Sequence, residues 1–226
     1  MYKFLKSAVN ILSHIFYRIK IVGKENIPED GPAIICGNHL HAFDSVFLVA
    51  HTKRKIHFIA KKELFKHRFM RWIEKPFGLI PIDRDKHQDI EAMKNALKVL
   101  KNDELLGIFP EGTRNGMAKN VEVKSGVAFF AVKTGVKVIP IGIKGNFKLF
   151  SKVTYNIGKP LDFSEYVGKK NSKEDLNNIT DIIMGNIIEL TNQEIWCIIY
   201  NCSKNIIFAS RLADNFIVLI LIKKEK

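Results

Sequence analysis

Cysteine is scarce in this chain of 226 residues. Only Cys36, Cys197 and Cys202 are present, and no two of them form a CxxC pair. An odd number of cysteines without paired spacing is not typical of a disulfide framework or a zinc knuckle, and it favours a reducing compartment. Glycine and proline number 14 and 7, while apolar residues make up 46% of the chain. These proportions exclude collagen-like and disordered chains and suit one globular domain with a sizeable core.

Long hydrophobic runs are missing as well. A membrane-spanning helix needs about 20 consecutive apolar residues. The longest candidate, residues 206–222, is interrupted by Arg211 and Asp214. The sequence therefore predicts no helix that crosses a bilayer.

Acidic residues are outnumbered, since 36 basic against 23 acidic side chains give a net charge of +13. A positive surface attracts nucleic acid, anionic lipid headgroups and phosphorylated small molecules alike. The basic residues are dispersed, however, and no helix-turn-helix, RNA-binding or zinc-finger pattern is present. We therefore expect no nucleic-acid partner.

The first 24 residues contain no acidic residue at all, but they carry five basic ones. Apolar residues recur there at helical spacing, at Phe4, Ala8, Ile11, Ile15 and Ile19. This pattern predicts an amphipathic helix over residues 1–20. Two interpretations are open from these residues alone: the helix lies in a lipid headgroup layer, or it packs on its own domain.

Short apolar runs alternate with helical patterns along most of the chain. The alternation predicts an α/β fold with a mixed, mostly parallel sheet flanked by helices. An Ser-x-x-Asp pattern at Ser172 predicts the start of a long helix. The predicted strands are residues 33–36, 56–60, 79–82, 105–109, 137–143 and 153–157, and the other predicted helices begin near Val46, Ile90 and Val127.

A histidine and an aspartate follow the first predicted strand, in the sequence NHLHAFD at residues 38–44. Neutral His39 can accept a proton from a hydroxyl, and a carboxylate such as Asp44 can orient the ring and stabilise the imidazolium. On its own, the pair also fits a surface histidine beside a helix-capping aspartate. His41 makes a His-x-His pair that suggests a metal site, but no further ligand spacing supports one. We therefore predict no metal.

Three further blocks follow in order. Residues 78–84 (GLIPIDR) form a short strand that ends at Arg84, and residues 109–114 (FPEGTR) form a loop whose Arg114 offers a planar fork for a phosphate. Residues 138–141 (VIPI) form an apolar strand in which Pro140 indicates an edge or a bulge. Each block taken alone has an ordinary structural explanation.

Taken together, the four blocks resemble the motifs of the glycerolipid acyltransferase family, specifically the 1-acylglycerol-3-phosphate acyltransferases. The family pattern is similar to NHxSxxD, a glycine-to-arginine block that ends in Asp-Arg, FPEGTR, and a Val-Pro strand. The resemblance runs from about Val22 to about Leu161, and FPEGTR matches letter for letter. One departure is His41, which stands where the family usually has serine. The family spacing His-x4-Asp selects His39 over His41.

The resemblance implies transfer of a fatty acyl group to the sn-2 hydroxyl of 1-acyl-sn-glycerol-3-phosphate, which gives phosphatidate. The acyl donor would be a thioester of coenzyme A or of acyl carrier protein, used as a co-substrate with no other cofactor. His39 would be the general base, with Asp44 orienting it. The residues implied in substrate binding are Lys61, Arg84, Glu111, Gly112, Thr113 and Arg114. An enzyme of the same family that acts on another lysophospholipid or lipid precursor is the alternative.

The resemblance also bears on location and domain organisation. A lipid acceptor implies a peripheral or monotopic protein at the cytoplasmic face of the membrane, in contact with anionic lipids through residues 1–20. Residues 21–194 would form the acyltransferase domain. Residues 195–226 do not resemble the family, and no role is predicted for them.

Overall fold

The computed structural model describes residues 1–83, 89–116 and 123–191, which belong to one unit of the chain. Arg84 and the predicted C-terminal segment, residues 195–226, lie outside the described residues. The helices are α1 (Tyr2–Phe16), α2 (Asp44–His51), α3 (Arg68–Phe77), α4 (Ile90–Lys101), α5 (Gly126–Thr134) and α6 (Lys173–Thr191). The strands are β1 (Arg18–Val22), β2 (Ala33–Gly37), β3 (Ile56–Lys61), β4 (Ile80–Ile82), β5 (Leu105–Ile108), β6 (Val138–Lys144) and β7 (Lys152–Ile157).

The strands form one sheet of the order β1-β7-β6-β2-β5-β3-β4. All neighbouring pairs are parallel except β6 and β7, which are antiparallel. The predicted mixed, mostly parallel sheet is therefore confirmed. Because β2, β3, β4, β5 and β6 run in the same direction, the loops that follow them leave from one edge of the sheet, called here the carboxyl edge. In sheets of this kind, ligands bind at that edge.

Helices cover both faces of the sheet. On one face, α1 and α2 pack together, and α2 contributes Phe47, Leu48 and Val49 to a core cluster with strand residues such as Ile35 and Ile141. On the other face, α4, α5 and α6 lie side by side against the strands. Among the described helices, none is long and apolar enough to cross a membrane.

Three details differ from the sequence predictions. The N-terminal helix ends at Phe16, and Ile19 lies in strand β1, where it packs against the core cluster. The spacing of Ile90, Met93, Leu97 and Leu100 predicts the apolar face of α4, but Ile90 is exposed, and Ala92 and Ala96 are buried together with Leu100. Pro140 does not mark an edge, since β6 lies between β2 and β7.

Helix α1 packs on the protein through Lys6, Asn10 and the buried Ser13, together with the apolar Tyr2 and Val9. The Lys6 ammonium donates to the carbonyls of Thr52 and Lys53 just after the end of α2, and the Asn10 amide donates to the Ala50 carbonyl at 3.2 Å. Burial lowers the pKa of Lys6. A cation there pairs with the partial negative charge at a helix C-terminus. The apolar side is turned outward, with Phe4, Ile11 and Ile15 exposed.

Helix α6 begins at the predicted cap and crosses strand β6. The Asp175 amide donates to Ser172 Oγ at 3.1 Å, and the Ser172 amide donates to Asp175 Oδ2 at 2.7 Å, which confirms the capping prediction. Near its other end, α6 lies so close to β6 that a Cβ on Gly142 would stand 2.5 Å from the Leu190 carbonyl carbon. Only glycine allows this approach without a shift of the helix.

We predict that Gly142→Ala destabilises the protein by about 1–3 kcal/mol, the usual cost of overpacking a core. Gly185→Ala is the matched control, because Gly185 is exposed inside α6 with no atom within 4 Å of an added Cβ. Alanine there should stabilise the helix by roughly 0.5–1 kcal/mol. Urea unfolding followed by circular dichroism measures both changes. Equal urea midpoints for the two variants would show that the packing of α6 against β6 does not require glycine at position 142.

Candidate active site

The first site element is the loop between β2 and α2, which brings His39 against Asp44. His39 Nδ1 lies 2.8 Å from Asp44 Oδ2, and the two side chains are 19% and 0% exposed. A carboxylate accepts, so Nδ1 carries the hydrogen and the lone pair of the ring remains on Nε2. This arrangement prepares the histidine to take a proton from a bound group.

Asp44 also organises the loop around the histidine. Its Oδ2 accepts hydrogen bonds from the Leu40 amide at 2.7 Å and from the His41 amide at 2.8 Å. Asp44 is the first residue of α2, where the helix dipole favours a negative charge. The Tyr155 hydroxyl donates to the Asp44 carbonyl at 3.4 Å. The pKa of Tyr155 is raised, mainly by burial and to a smaller extent by the charge of Asp44. The aspartate is therefore held from both its side chain and its backbone.

Asn38 fixes the start of the same loop to the neighbouring strand. Its side-chain amide donates to the Ile143 carbonyl at 3.0 Å, and its side-chain oxygen accepts from the Ile143 amide at 2.7 Å. Asn38 is buried, so both bonds are shielded from water. These two hydrogen bonds extend the contact between β2 and β6 by one residue past the end of β2. They fix the backbone position from which His39 follows.

The FPEGTR loop after β5 holds the backbone of His39 from the other side. Glu111 is buried, and its Oε1 accepts from the His39 amide at 3.1 Å. The Asn115 amide donates to the His39 carbonyl at 2.6 Å. Asn115 has φ of 54°, a left-handed conformation that asparagine tolerates better than most residues. The FPEGTR motif and the asparagine that follows it therefore fix the backbone of the histidine in the first motif.

An aromatic stack supports the imidazole ring. His39 stacks on Phe109 with a centroid distance of 4.3 Å, and Phe109 stacks on Phe58 at 5.3 Å. Phe58 lies over Gly107, where an added Cβ would stand 2.5 Å from its ring. The stack fixes the ring plane of His39, and it depends on a glycine in β5.

His41 is placed differently from His39. Its ring stacks on Phe147 with a centroid distance of 4.8 Å and lies 5.1 Å from the Phe43 ring. Only its backbone amide reaches the Asp44 carboxylate. The geometry thus pairs Asp44 with the ring of His39, as the spacing predicted, and puts His41 into an aromatic cluster.

The predicted binding residues that the structure describes lie at the carboxyl edge, at the end of β3 and in the loop after its neighbour β5. Gly112 and Thr113 are half-buried and Arg114 is exposed, all in the loop after β5. Lys61 ends β3, with its Nζ 3.7 Å from Glu63 Oε1, and it is about 10 Å from β2 at the usual strand spacing. Strand β4 ends at the same edge at Ile82, two residues before Arg84, and Arg84 itself lies outside the described residues.

Several residues of the site have no signal of their own in the sequence. Phe58, Gly107 and Asn115 act through contacts with distant parts of the chain, which spacing does not reveal. Asn38 is the first residue of the NHLHAFD block, but its bonds to Ile143 were not predicted, and Asn115 directly follows FPEGTR, so only its position could have suggested a role. Within residues 1–83, 89–116 and 123–191, no group of three or more His, Cys, Asp or Glu side chains is arranged to hold a metal ion.

Comparison with known proteins bears on this site. The acyltransferase family model matches residues 18–144. A 1-acyl-sn-glycerol-3-phosphate acyltransferase of Bacillus subtilis is 31% identical over 199 residues, which cover 85% of this chain and 98% of that protein. An enzyme of the same name from Borreliella burgdorferi is 29% identical over 181 residues, or 76% of this chain and 71% of that one.

A solved structure shares the fold. The crystal structure of the 1-acyl-sn-glycerophosphate acyltransferase PlsC from Thermotoga maritima superposes with a TM-score of 0.62 at 26% identity, covering 85% of this chain and 82% of that one. All four sequence motifs lie within the matched residues 18–144. The chain therefore belongs to the acyltransferase family, as its glycerolipid acyltransferase motifs predicted.

Proposed function

We propose that this acyltransferase moves a fatty acyl group to the sn-2 hydroxyl of 1-acyl-sn-glycerol-3-phosphate and forms phosphatidate. The 2.8 Å pair of His39 and Asp44 at the carboxyl edge is the observation that carries the proposal. The names of the Bacillus subtilis and Thermotoga maritima relatives support the choice of acceptor. The donor is a thioester of coenzyme A or acyl carrier protein, and no other cofactor takes part.

The reaction begins with proton transfer. An alcohol is a poor nucleophile, so Nε2 of His39 takes the proton of the acceptor hydroxyl as its oxygen attacks the thioester carbonyl carbon. Asp44 stabilises the imidazolium that forms. The tetrahedral intermediate then collapses, the carbon–sulfur bond breaks, and the departing thiolate receives the proton from His39. The products are an ester and a free thiol.

Direct transfer fits the surroundings better than an acyl-enzyme. Cys36 is the cysteine nearest the motif in sequence, but it is fully buried in β2. The pKa of its thiol is raised, mainly by burial and to a smaller extent by the charge of Glu111, so the reactive thiolate does not form readily. The acceptor hydroxyl is therefore the nucleophile.

Binding residues surround this centre. Arg84 and Arg114 hold the phosphate of the acceptor, with Lys61 as a weaker contributor, while Gly112 and Thr113 shape the loop. Glu111 acts as a positioning residue, because its carboxylate holds the His39 amide. An enzyme of this family that acts on another lysophospholipid or lipid precursor would keep the same His39 chemistry and differ in this cationic rim.

Membrane attachment follows from the nature of the acceptor. A diacylated product resides in a bilayer, so the enzyme works as a peripheral or monotopic protein at the cytoplasmic membrane face. The outward apolar side of α1 and the absence of acidic residues before Glu25 support contact with anionic lipids.

We predict that His39→Ala lowers kcat by about 10²–10⁴-fold, the usual contribution of a general base, with little loss of stability. His41→Ala is the matched control, since it removes a ring that stacks on Phe147 and leaves the Asp44 pair intact. Its effect on kcat should be far smaller. Product formation from labelled acyl-CoA and lysophosphatidate measures both. An active His39→Ala enzyme beside an inactive His41→Ala enzyme would reverse the assignment.

We also predict that Arg84→Ala and Arg114→Ala each lower kcat/KM for lysophosphatidate by about ten- to a hundredfold, because a charge-assisted hydrogen bond contributes roughly 1.5–3 kcal/mol. Lysine at either position should restore activity only in part, since it lacks the two-pronged geometry. Lysophosphatidylcholine, whose phosphate is masked by choline, is the comparison substrate. If the ratio of kcat/KM for the two acceptors is the same in wild type and both variants, neither arginine reads the phosphate.

A third prediction concerns α1. Deleting residues 1–20 would remove part of strand β1, so the test replaces exposed side chains of α1 and leaves the backbone intact. Phe4→Ser, Ile11→Ser and Ile15→Ser combined should weaken co-sedimentation with phosphatidylglycerol vesicles by at least about a hundredfold, since burying one such side chain contributes roughly 1.5–3 kcal/mol. Ile90→Ser with Ile182→Ser, exposed on α4 and α6, should leave binding unchanged. Equal binding by all three proteins would locate the lipid contact elsewhere.

A further inference from the structure

Helix α3 shows its apolar residues to solvent. No residue of α3 is buried, and Phe69 and Trp72 are 64% and 50% exposed. At 3.6 residues per turn, Phe69, Trp72, Ile73 and Pro76 fall on one side of the helix, and Arg68, Arg71 and Lys75 fall on the other. An apolar stripe of this kind ordinarily faces a core. Here half of it faces outward.

Helix α3 contacts the neighbouring segment Lys62–Lys66, and its last turn and the glycine after it attach it to more distant parts of the protein. Phe77 packs against Tyr2 with a ring centroid distance of 5.3 Å, and His57 Nδ1 donates to the Gly78 carbonyl at 3.0 Å. Gly78 adopts φ of 60°, and a Cβ there would collide with the His57 ring. The end of the helix is therefore fixed, while Phe69 and Trp72 in its first half project from the surface.

The charge around α3 is strongly positive. Residues 61–75 carry six basic and two acidic side chains, a net charge of +4. The exposed ones include Lys66, Arg68, Arg71 and Lys75. Exposed tryptophan and phenylalanine beside arginine and lysine suit an interface in which rings enter the acyl boundary and cations pair with anionic headgroups.

The position of α3 matches such a contact. The helix connects the carboxyl end of β3 to the start of β4, so its first residues lie toward the carboxyl edge, where His39 is held. Its last residue touches the start of α1 through Tyr2 and joins the same core cluster as α1. The end of α3 therefore lies on the face of the sheet that α1 and α2 cover.

We propose that α3 is a second membrane-contact element, which lies on an anionic lipid surface with Phe69 and Trp72 inserted and Arg68 and Arg71 on headgroups. This deepens the proposed function, because it states how the carboxyl edge reaches a lipid acceptor. The contact is distinct from α1, since it uses its own apolar and basic residues.

Trp72 reports on the contact directly. The chain has a second tryptophan, Trp196, so Trp196→Phe leaves Trp72 as the only indole. With phosphatidylglycerol vesicles, the emission of this full-length protein should shift to the blue and be quenched by lipids brominated on their acyl chains. Phosphatidylcholine vesicles should give a much smaller shift. Emission that does not move on phosphatidylglycerol vesicles to which the protein binds would overturn the proposal.

Charge neutralisation gives an independent measurement. Arg68→Gln with Arg71→Gln should weaken vesicle co-sedimentation by roughly thirtyfold, since a basic residue near an anionic surface contributes about 1 kcal/mol. Lys94→Gln with Lys98→Gln, exposed on α4 across the sheet, is the matched control and should bind like wild type. Wild-type binding by the arginine variant would overturn the proposal, and so would a change in its oligomeric state by sedimentation, because α3 would then contact a second copy.

Activity measurements distinguish a failure of this membrane contact from a failure of the proposed function. The α3 variant should still acylate lysophosphatidate dispersed in detergent micelles and lose activity on vesicle-bound acceptor. If wild type makes no diacylated product from lysophosphatidate while Trp72 still inserts, the function is wrong and the contact stands. If wild type is active and Trp72 stays in water, the contact is wrong and the function stands.

Discussion

The Asp44 carboxylate is the contact on which the site depends. One oxygen, Oδ2, accepts from the His39 ring and from the amides of Leu40 and His41, so a single buried group sets both the ring and the path of the loop. Burying a charge is costly unless it is hydrogen-bonded. Three donors to Oδ2 and the start of α2 stabilise the charge here, whereas the buried Oδ1 has no hydrogen-bond partner among the described residues. The same contacts that make the charge tolerable also hold the histidine ready to accept a proton.

The parallel sheet extends this local arrangement into a site. Motifs far apart in sequence follow β2, β5, β3 and β4, which are neighbours in that order, and their loops meet at the carboxyl edge. The meeting is tight between the first two loops, since Glu111 and Asn115 bind the two ends of the His39 backbone unit. The FPEGTR motif therefore supports the histidine, while its exposed Arg114 extends toward the outside.

Helices α1 and α3, which we propose as membrane contacts, share an unusual feature. Both expose large apolar side chains, and α3 is also rich in basic residues. In α1, Lys6 and Asn10 donate to carbonyls at the end of α2, while Phe4, Ile11 and Ile15 are exposed. Exposing large apolar side chains to water is unfavourable. In a protein whose proposed acceptor is a lipid, a membrane would cover these side chains.

The sequence by itself determined the elements that follow from local periodicity and capping. It predicted the strands β2 to β7, the Ser172 cap and the mixed sheet. The resemblance to the family spacing assigned the role of base to His39 and not to His41, and that role stays a prediction, although the structure pairs His39 with Asp44. The sequence did not reveal β1, because the short segment 18–22 continues the basic apolar pattern of α1 and becomes a strand only by pairing with β7. It also did not reveal α3 as a helix.

Tertiary structure alone decided which side of each helix is covered and what each motif residue touches. In α1, Lys6 and Asn10 face the carbonyls at the end of α2, and Phe4, Ile11 and Ile15 are exposed. In α4, Ala92 and Ala96 are buried while Ile90 is exposed. Glu111 supports His39 because β5 lies beside β2. Periodicity is a property of one segment, whereas these contacts depend on which distant segment lies beside it.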